Sequence, residues 1–168
     1  MPEPDEVDRL VAAWRSERPD LDVDPLEVLS RVSRLARHLD LARRQAFAAH
    51  DLEAWEFDVL AALRRAGSGA ALSPGALLTQ TLVTSGTMTN RIDRLGARGL
   101  VEREAYLPDR RGVIVRLTES GRTAVDAALT DLLEREANIL DAIRPSDRKV
   151  LASLLREIVR PFDDASAG

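Results

Sequence analysis

Apolar residues recur along most of this chain at spacings of three and four, interrupted by one stretch in which they alternate. Leu26, Leu29, Val32, Leu35, Ala36, Leu39, Ala42 and Ala46 form the longest stripe and predict an amphipathic helix over about 26–48. Asp24 followed by Pro25 is read as its N-cap and first helical position. Upstream, Val7, Leu10, Val11 and Trp14 have helical spacing, and RPDLDVDP (18–25) is a connector. A second helix is predicted over about 53–66, stopped by Gly67-Ser68-Gly69. Ser73-Pro74-Gly75 opens a short third helix ending near Thr81. Thr84 or Ser85 then caps a fourth, which carries Met88, Ile92 and Leu95 and stops at Gly99.

The pattern changes over LVEREAYL (100–107) and GVIVRLT (112–118), where Val113, Val115 and Leu117 alternate with Ile114 and Arg116. Both stretches read as strands joined by a turn at Pro108-Asp109-Arg110-Arg111-Gly112. Helical spacing returns after Thr118, with Val125, Ala128, Leu129, Leu132, Leu133, Ala137 and Leu140. Arg144-Pro145-Ser146 breaks it, and a last helix follows with Val150, Leu151, Leu154, Leu155, Ile158 and Val159. Two short helices with a tight turn, then a hairpin, make a winged helix-turn-helix. The fold class expected is mainly α, in the α+β sense. Residues 1–50 form an N-terminal extension and dimerisation helix, and 51–118 the DNA-binding domain. Within that domain the recognition helix spans about 84–98 and the wing about 100–117. Residues 119–162 form C-terminal dimerisation helices, and 163–168 a polar tail expected to be disordered. The terminal helices carry more apolar surface than a small winged domain needs, which points to a helical homodimer interface built from both chain ends.

Charge changes the picture through its distribution. The 168 residues carry a net −4, which by itself disfavours nucleic acid. Residues 73–117, however, hold seven arginines against four carboxylates, a net +3 that leaves −7 elsewhere. A basic island on an acidic scaffold suits a local phosphate-binding surface. There is no cysteine, which removes disulfides and thiolate sites, and His38 and His50 have no ligand-spaced neighbours, so no metal is expected. No nucleophile–base pair or glycine-rich phosphate loop is visible, so neither catalytic residues nor a cofactor is expected, and the chain is not read as an enzyme. With no long apolar run and an acidic start, MPEPDEVDRL, the expectation is a cytoplasmic protein without a membrane partner.

With Ile92 set at the core-facing centre of its helix, Met88, Leu95 and Ser85 fall near it, and Gly86, Thr87, Asn90 and Arg94 fall on the far side. Asn can pair with adenine edges, Arg with guanine, and Thr can hydrogen-bond or touch a thymine methyl. Gly86 lets the helix start approach the DNA backbone. Thr84 and Ser85 suit phosphate contacts at a helix N-terminus, and Ser73 and Thr89 complete the helical part of the candidate DNA surface. Arg110 and Arg111 at the wing suit a narrow minor groove, with Asp109 orienting one of them or capping the turn.

The stretch LTQTLVTSGTMTNRIDRLGARGLVEREAYLPDRRGVIVRLTESGR (78–122) resembles the MarR family of bacterial transcription regulators, with TNRIDRLGARGLVER, PDRRG and LTESGR in the family's order and spacing. The resemblance implies a homodimer with one winged helix-turn-helix per subunit that binds double-stranded DNA at palindromic operators, here read as a repressor. The extension bearing Trp14 and RPDLD is similar to the branch that responds to urate and related anions. In that branch a Trp, an Asp and two Arg form the ligand site. Trp14, Asp58, Arg91 and Arg103 stand at matching places, 33 residues separating Asp58 from Arg91 and 12 separating Arg91 from Arg103. Plainer roles remain open, with Trp14 filling an apolar gap and Asp58–Arg91 forming a structural ion pair. Two alternative functions also remain. One is a regulator without a small-molecule ligand; the other is a winged-helix protein-interaction module without DNA binding, against which the basic wing and the polar helix face argue.

Overall fold

A computed structural model of the chain describes residues 3–67, 69, 71–81, 83–105 and 112–166. The elements in order are α1 (Glu6–Glu17), α2 (Asp24–Ala48), α3 (Ala54–Arg65), β1 (Ala71–Leu72), α4 (Pro74–Thr81), α5 (Ser85–Ala97), β2 (Val101–Ala105), β3 (Val113–Leu117), α6 (Glu119–Leu140) and α7 (Pro145–Ser166). The fold is mainly helical with a small antiparallel sheet, as the periodicity predicts.

The core is where the predicted stripes meet. Met88, Ile92 and Leu95 of α5, Leu60 and Leu63 of α3, Leu77 of α4, Val115 of β3 and Val125 of α6 are all buried in one cluster. Phe47 and Phe57 stack with ring centroids 4.0 Å apart and tie the end of α2 to α3. At the α2–α3 turn Asp51 adopts φ 55, and Leu52 N–H donates to the Phe47 carbonyl at 2.9 Å. Gly99, at φ 68, ends α5, and Leu100 N–H closes the Schellman-type bond back to the Leu95 carbonyl at 3.0 Å.

Four local details differ from the sequence reading. The N-cap of α2 is Val23 rather than Asp24, which is the first helical residue, and Asp22 accepts the Asp24 N–H at 3.0 Å. A third strand, β1, pairs with β3 through Ala71–Arg116 and Leu72–Val115, giving the order β1-β3-β2. Two residues are too few for an alternating pattern to reveal. On α1, Val7 and Val11 are buried with Val23, whereas Leu10 and Trp14 of the same predicted stripe are exposed. The last helix runs on through Ser166, into the polar tail expected to be disordered.

The N-terminal helix is a rider on α2. Asp5 caps it by accepting from Val7 and Asp8 N–H at 2.8 and 2.9 Å, while Asp8 accepts from Asp5 N–H at 2.9 Å. The same two carboxylates receive Arg31 of α2 at 2.9 and 2.7 Å, and Arg34 reaches Glu6 at 2.6 Å. Arg31 holds the Asp5 carboxyl at a pKa of about 2, below its ordinary 3.8.

Candidate nucleic-acid interface

Helix α5, expected from the sequence to be the recognition helix, is fixed by its buried face and presents the other. Gly86, Thr87, Asn90 and Arg94 are exposed, as the helical geometry predicts; Thr84 and Thr89 are exposed as well, and so is Ser85, which that geometry set near the core-facing side but which, as the first residue of α5, is left uncovered. A Cβ added at Gly86 would meet open space, so none of the described residues blocks close approach there. Several of the short polar side chains are already oriented. The Thr84 and Thr87 hydroxyls lie 2.9 Å apart, Thr89 donates to the Ser85 carbonyl at 3.2 Å, and Ser73 caps α4 by accepting from Ala76 N–H at 3.2 Å. Strands β2 and β3 pair from Val101–Leu117 to Ala105–Val113 and form the base of the wing. Asp109, Arg110 and Arg111 lie outside the described residues.

The flank of α5 is gripped by the start of α3. Arg94 donates to Glu53 at 2.8 Å, and its guanidinium carbon lies 4.6 Å from the Trp55 ring centroid. Arg91 lies over the same ring at 5.4 Å. Arg98 donates to Glu56 at 2.6 Å and to the Asp51 carbonyl and carboxylate at 2.7 and 2.8 Å. Glu56 is only 2% exposed, and besides Arg98 it accepts the Glu53 N–H at 2.9 Å. Glu53 is held below the usual carboxylate range, chiefly by the Trp55 indole N–H and then by Arg94. Sequence reasoning missed Glu53, Trp55 and Arg98. The signal available was the helical spacing of Arg91, Arg94 and Arg98, which sets three cations along one side of α5.

The four candidate ligand residues have other neighbours in this chain. Asp58 borders a cavity of about 470 Å³ between α2, α3, α4 and α6, 3.7 Å from Arg43 rather than paired with Arg91. Arg64 and Arg65 line the same cavity, with Phe57 and Leu129 on its apolar side, and Arg64 is paired with Asp126 at 2.8 Å. Arg91 has Trp55 rather than Trp14 as its aromatic neighbour. Arg103 pairs with Asp93 at 2.6 Å, linking β2 to α5. Trp14 is 48% exposed on α1.

Residues 50–112, which contain α3, the helix-turn-helix and β2, match the family model described as the MarR family. The transcriptional regulator PecS of Dickeya dadantii is 36% identical over 153 residues, covering 91% of this chain and 92% of its own. The chain belongs to the MarR family. The transcriptional repressor NicR of Pseudomonas putida is 31% identical over 150 residues, covering 86% of this chain and 92% of its own. Among solved structures, Bordetella bronchiseptica BpsR, described in terms of regulation of its DNA binding by 6-hydroxynicotinic acid, superposes with a TM-score of 0.57 at 29% identity, over 76% of this chain and 98% of that one. As a MarR-family protein the chain is a DNA-binding transcriptional regulator, and its relatives are regulators rather than enzymes. Among the described residues no helix is long and apolar enough to cross a membrane.

Proposed function

We propose that the protein is a repressor that binds a palindromic operator as a homodimer and leaves it when a small anionic ligand binds. The observation that carries the DNA-binding part is the outer face of α5, where Gly86, Thr87, Asn90 and Arg94 stand exposed opposite Met88, Ile92 and Leu95. The side chains are short, hydrogen-bonding and cationic at the end of the row, as a major-groove reader requires. Ser73, Thr84, Ser85 and Thr89 supply hydroxyls beside it for phosphate. Arg110 and Arg111, with Asp109, supply the wing's minor-groove contact. Dimerisation is supported by apolar side chains left uncovered on both chain ends: Leu29 and Val32 of α2, and Val150, Leu154 and Ile158 of α7.

The test is binding to the DNA upstream of the protein's own gene at 50 and 200 mM salt. Affinity falls by orders of magnitude between the two if several phosphates are contacted. Asn90→Ala costs about 1–3 kcal/mol and relaxes sequence preference. Weak binding that is equal at both salts would remove the DNA reading and favour the protein-interaction alternative.

For the ligand, a flat anion such as urate is proposed at Trp14, Asp58, Arg91 and Arg103. Support comes from the family branch the N-terminal extension resembles and from Arg91, whose cation–π contact sits next to the reading face. An anion that draws Arg91 away from Trp55 acts directly on α5, which gives it the differential affinity for two states that regulation needs. Urate is expected to release DNA and to change Trp14 fluorescence. Neither effect with urate or with 6-hydroxynicotinate, alongside intact DNA binding, leaves a regulator without a small-molecule ligand.

A further inference from the structure

Glu53 and Trp55 belong to the start of α3, outside the helix that reads DNA, yet with Gly86, Thr87, Asn90 and Arg94 they border one open groove of about 520 Å³. Three contacts close a ring of side chains there. The Trp55 indole N–H donates to Glu53 Oε2 at 2.8 Å. The other oxygen, Oε1, accepts from Arg94 Nη2 at 2.8 Å. The Arg94 guanidinium lies over the indole at 4.6 Å. The carboxylate is therefore fixed by the indole, and the arginine is fixed by both, held at one nitrogen and laid along a ring. Behind this, the buried Glu56 holds Arg98 at 2.6 Å, so α3 and α5 keep their spacing.

An arginine side chain free in solvent must lose rotamer freedom each time it docks on a base edge. One seated in this way, though more than half exposed, has fewer rotamers to lose when it docks. The carboxylate also offsets the charge, so Arg94 is a weaker counter-ion for phosphate but remains a directed donor. Only one of its nitrogens faces Glu53, and a guanidinium has five N–H groups. The effect falls on which sequence is chosen more than on how tightly any DNA is held.

We propose that Glu53 and Trp55 are positioning residues that seat Arg94 for base recognition, so that part of the sequence specificity of α5 is set from α3. The proposal rests on the reading of Arg94 as a base-contacting residue. The experiment selects a preferred duplex from a random-sequence pool with the wild-type protein. It then compares affinity for that duplex with affinity for a scrambled duplex of the same composition. The proteins are wild type, Arg94→Ala, Glu53→Ala, Glu53→Gln, Trp55→Phe and the Glu53→Ala/Arg94→Ala double variant. Glu53→Gln keeps side-chain volume and an acceptor, and thermal melting of each variant reports folding.

Arg94→Ala is expected to lower the selected-to-scrambled ratio roughly tenfold. Glu53→Ala lowers it several-fold, and the double variant loses no more than Arg94→Ala alone. Glu53→Gln and Trp55→Phe fall between wild type and Glu53→Ala. Pools selected with Glu53→Ala lose preference at the same base position as pools selected with Arg94→Ala and at no other, which general loosening of the fold would not produce. If Arg94→Ala lowers the ratio while Glu53→Ala and Glu53→Gln keep the wild-type value, the seat does not exist. The same holds if the Glu53 and Arg94 losses simply add, or if removing Glu53 tightens both duplexes equally, because the carboxylate then only repels phosphate. If Arg94→Ala itself leaves the ratio unchanged, the base-reading role of Arg94 is what fails.

Discussion

Gly121 shows how a single position is fixed by what lies opposite it. A Cβ there would overlap the Leu100 carbonyl oxygen and come within 2.9 Å of its carbon. The start of α6 is pressed onto that carbonyl because Thr118 N–H donates to it at 3.2 Å, while the Thr118 hydroxyl donates to Gly99 O at 2.7 Å and accepts from Gly121 N–H at 3.0 Å. Gly121→Ala is therefore expected to destabilise the protein by about 1–3 kcal/mol through overpacking, read as a lower midpoint in urea. Wild-type stability in that variant would mean that α6 can lift from β2 at no cost. The same motif, LTESGR, carried part of the family resemblance. The sequence displays the Gly but not the Leu100 carbonyl that excludes a side chain, because that neighbour arrives through the chain's return after β3.

At the scale of elements, the contact between α3 and α5 matters most. Arg98 and Glu56 lie 42 residues apart and form a pair with one partner almost fully buried. Arg98→Met leaves the Glu56 carboxylate, among the described residues, with only the Glu53 N–H and is expected to cost about 2–4 kcal/mol. Replacing both residues by Met should recover much of that loss, since the cost lies mainly in stranding a charge. Equal losses in the single and double variants would show that the pair itself, and not the unpaired carboxylate, is what stabilises. The wing is judged at the same scale. Arg110→Ala and Arg111→Ala should each weaken binding to all duplexes alike and reduce the slope of log affinity against log salt by about one. An unchanged slope would take those residues away from the DNA. Element boundaries were legible wherever a stripe or a glycine marked them, as at Gly99. The N-cap of α2 lies one residue before Asp24, on Val23, whose side chain cannot accept a hydrogen bond, so only the backbone conformation marks it.

At the scale of the molecule, α1 is held on α2 by ion pairs around a three-valine cluster. Asp5 has its pKa lowered to about 2 in the fold against an ordinary 3.8. Its contribution is therefore complete above about pH 4 and is lost as pH falls through about 2. Loosening of α1 across that window, followed by Trp14 fluorescence in a Trp55→Phe background, should vanish in Asp5→Asn. A transition that persists unaltered in that variant would assign the change to other carboxylates. The uncovered apolar residues of α2 and α7 make a second prediction at this scale. Leu154→Asp combined with Ile158→Asp should give a monomer in sedimentation and lower affinity for a palindromic site far more than for a half-site. A dimer that survives both substitutions would place the interface elsewhere.

What the sequence by itself determined was local in origin. Helical spacing marked which faces are buried, glycines and prolines marked where helices stop, and the residue types on the outer face of α5 declared its chemistry. These follow from periodicity and backbone preference, which act over a few neighbours. The tertiary structure alone decided which charged side chains meet. Arg94 and Glu53 are 41 residues apart, Arg98 and Glu56 are 42, and Asp58 lies beside Arg43 rather than paired with Arg91. An ion pair depends on distance and direction in space, and a chain that folds back on itself sets both only after its core has packed.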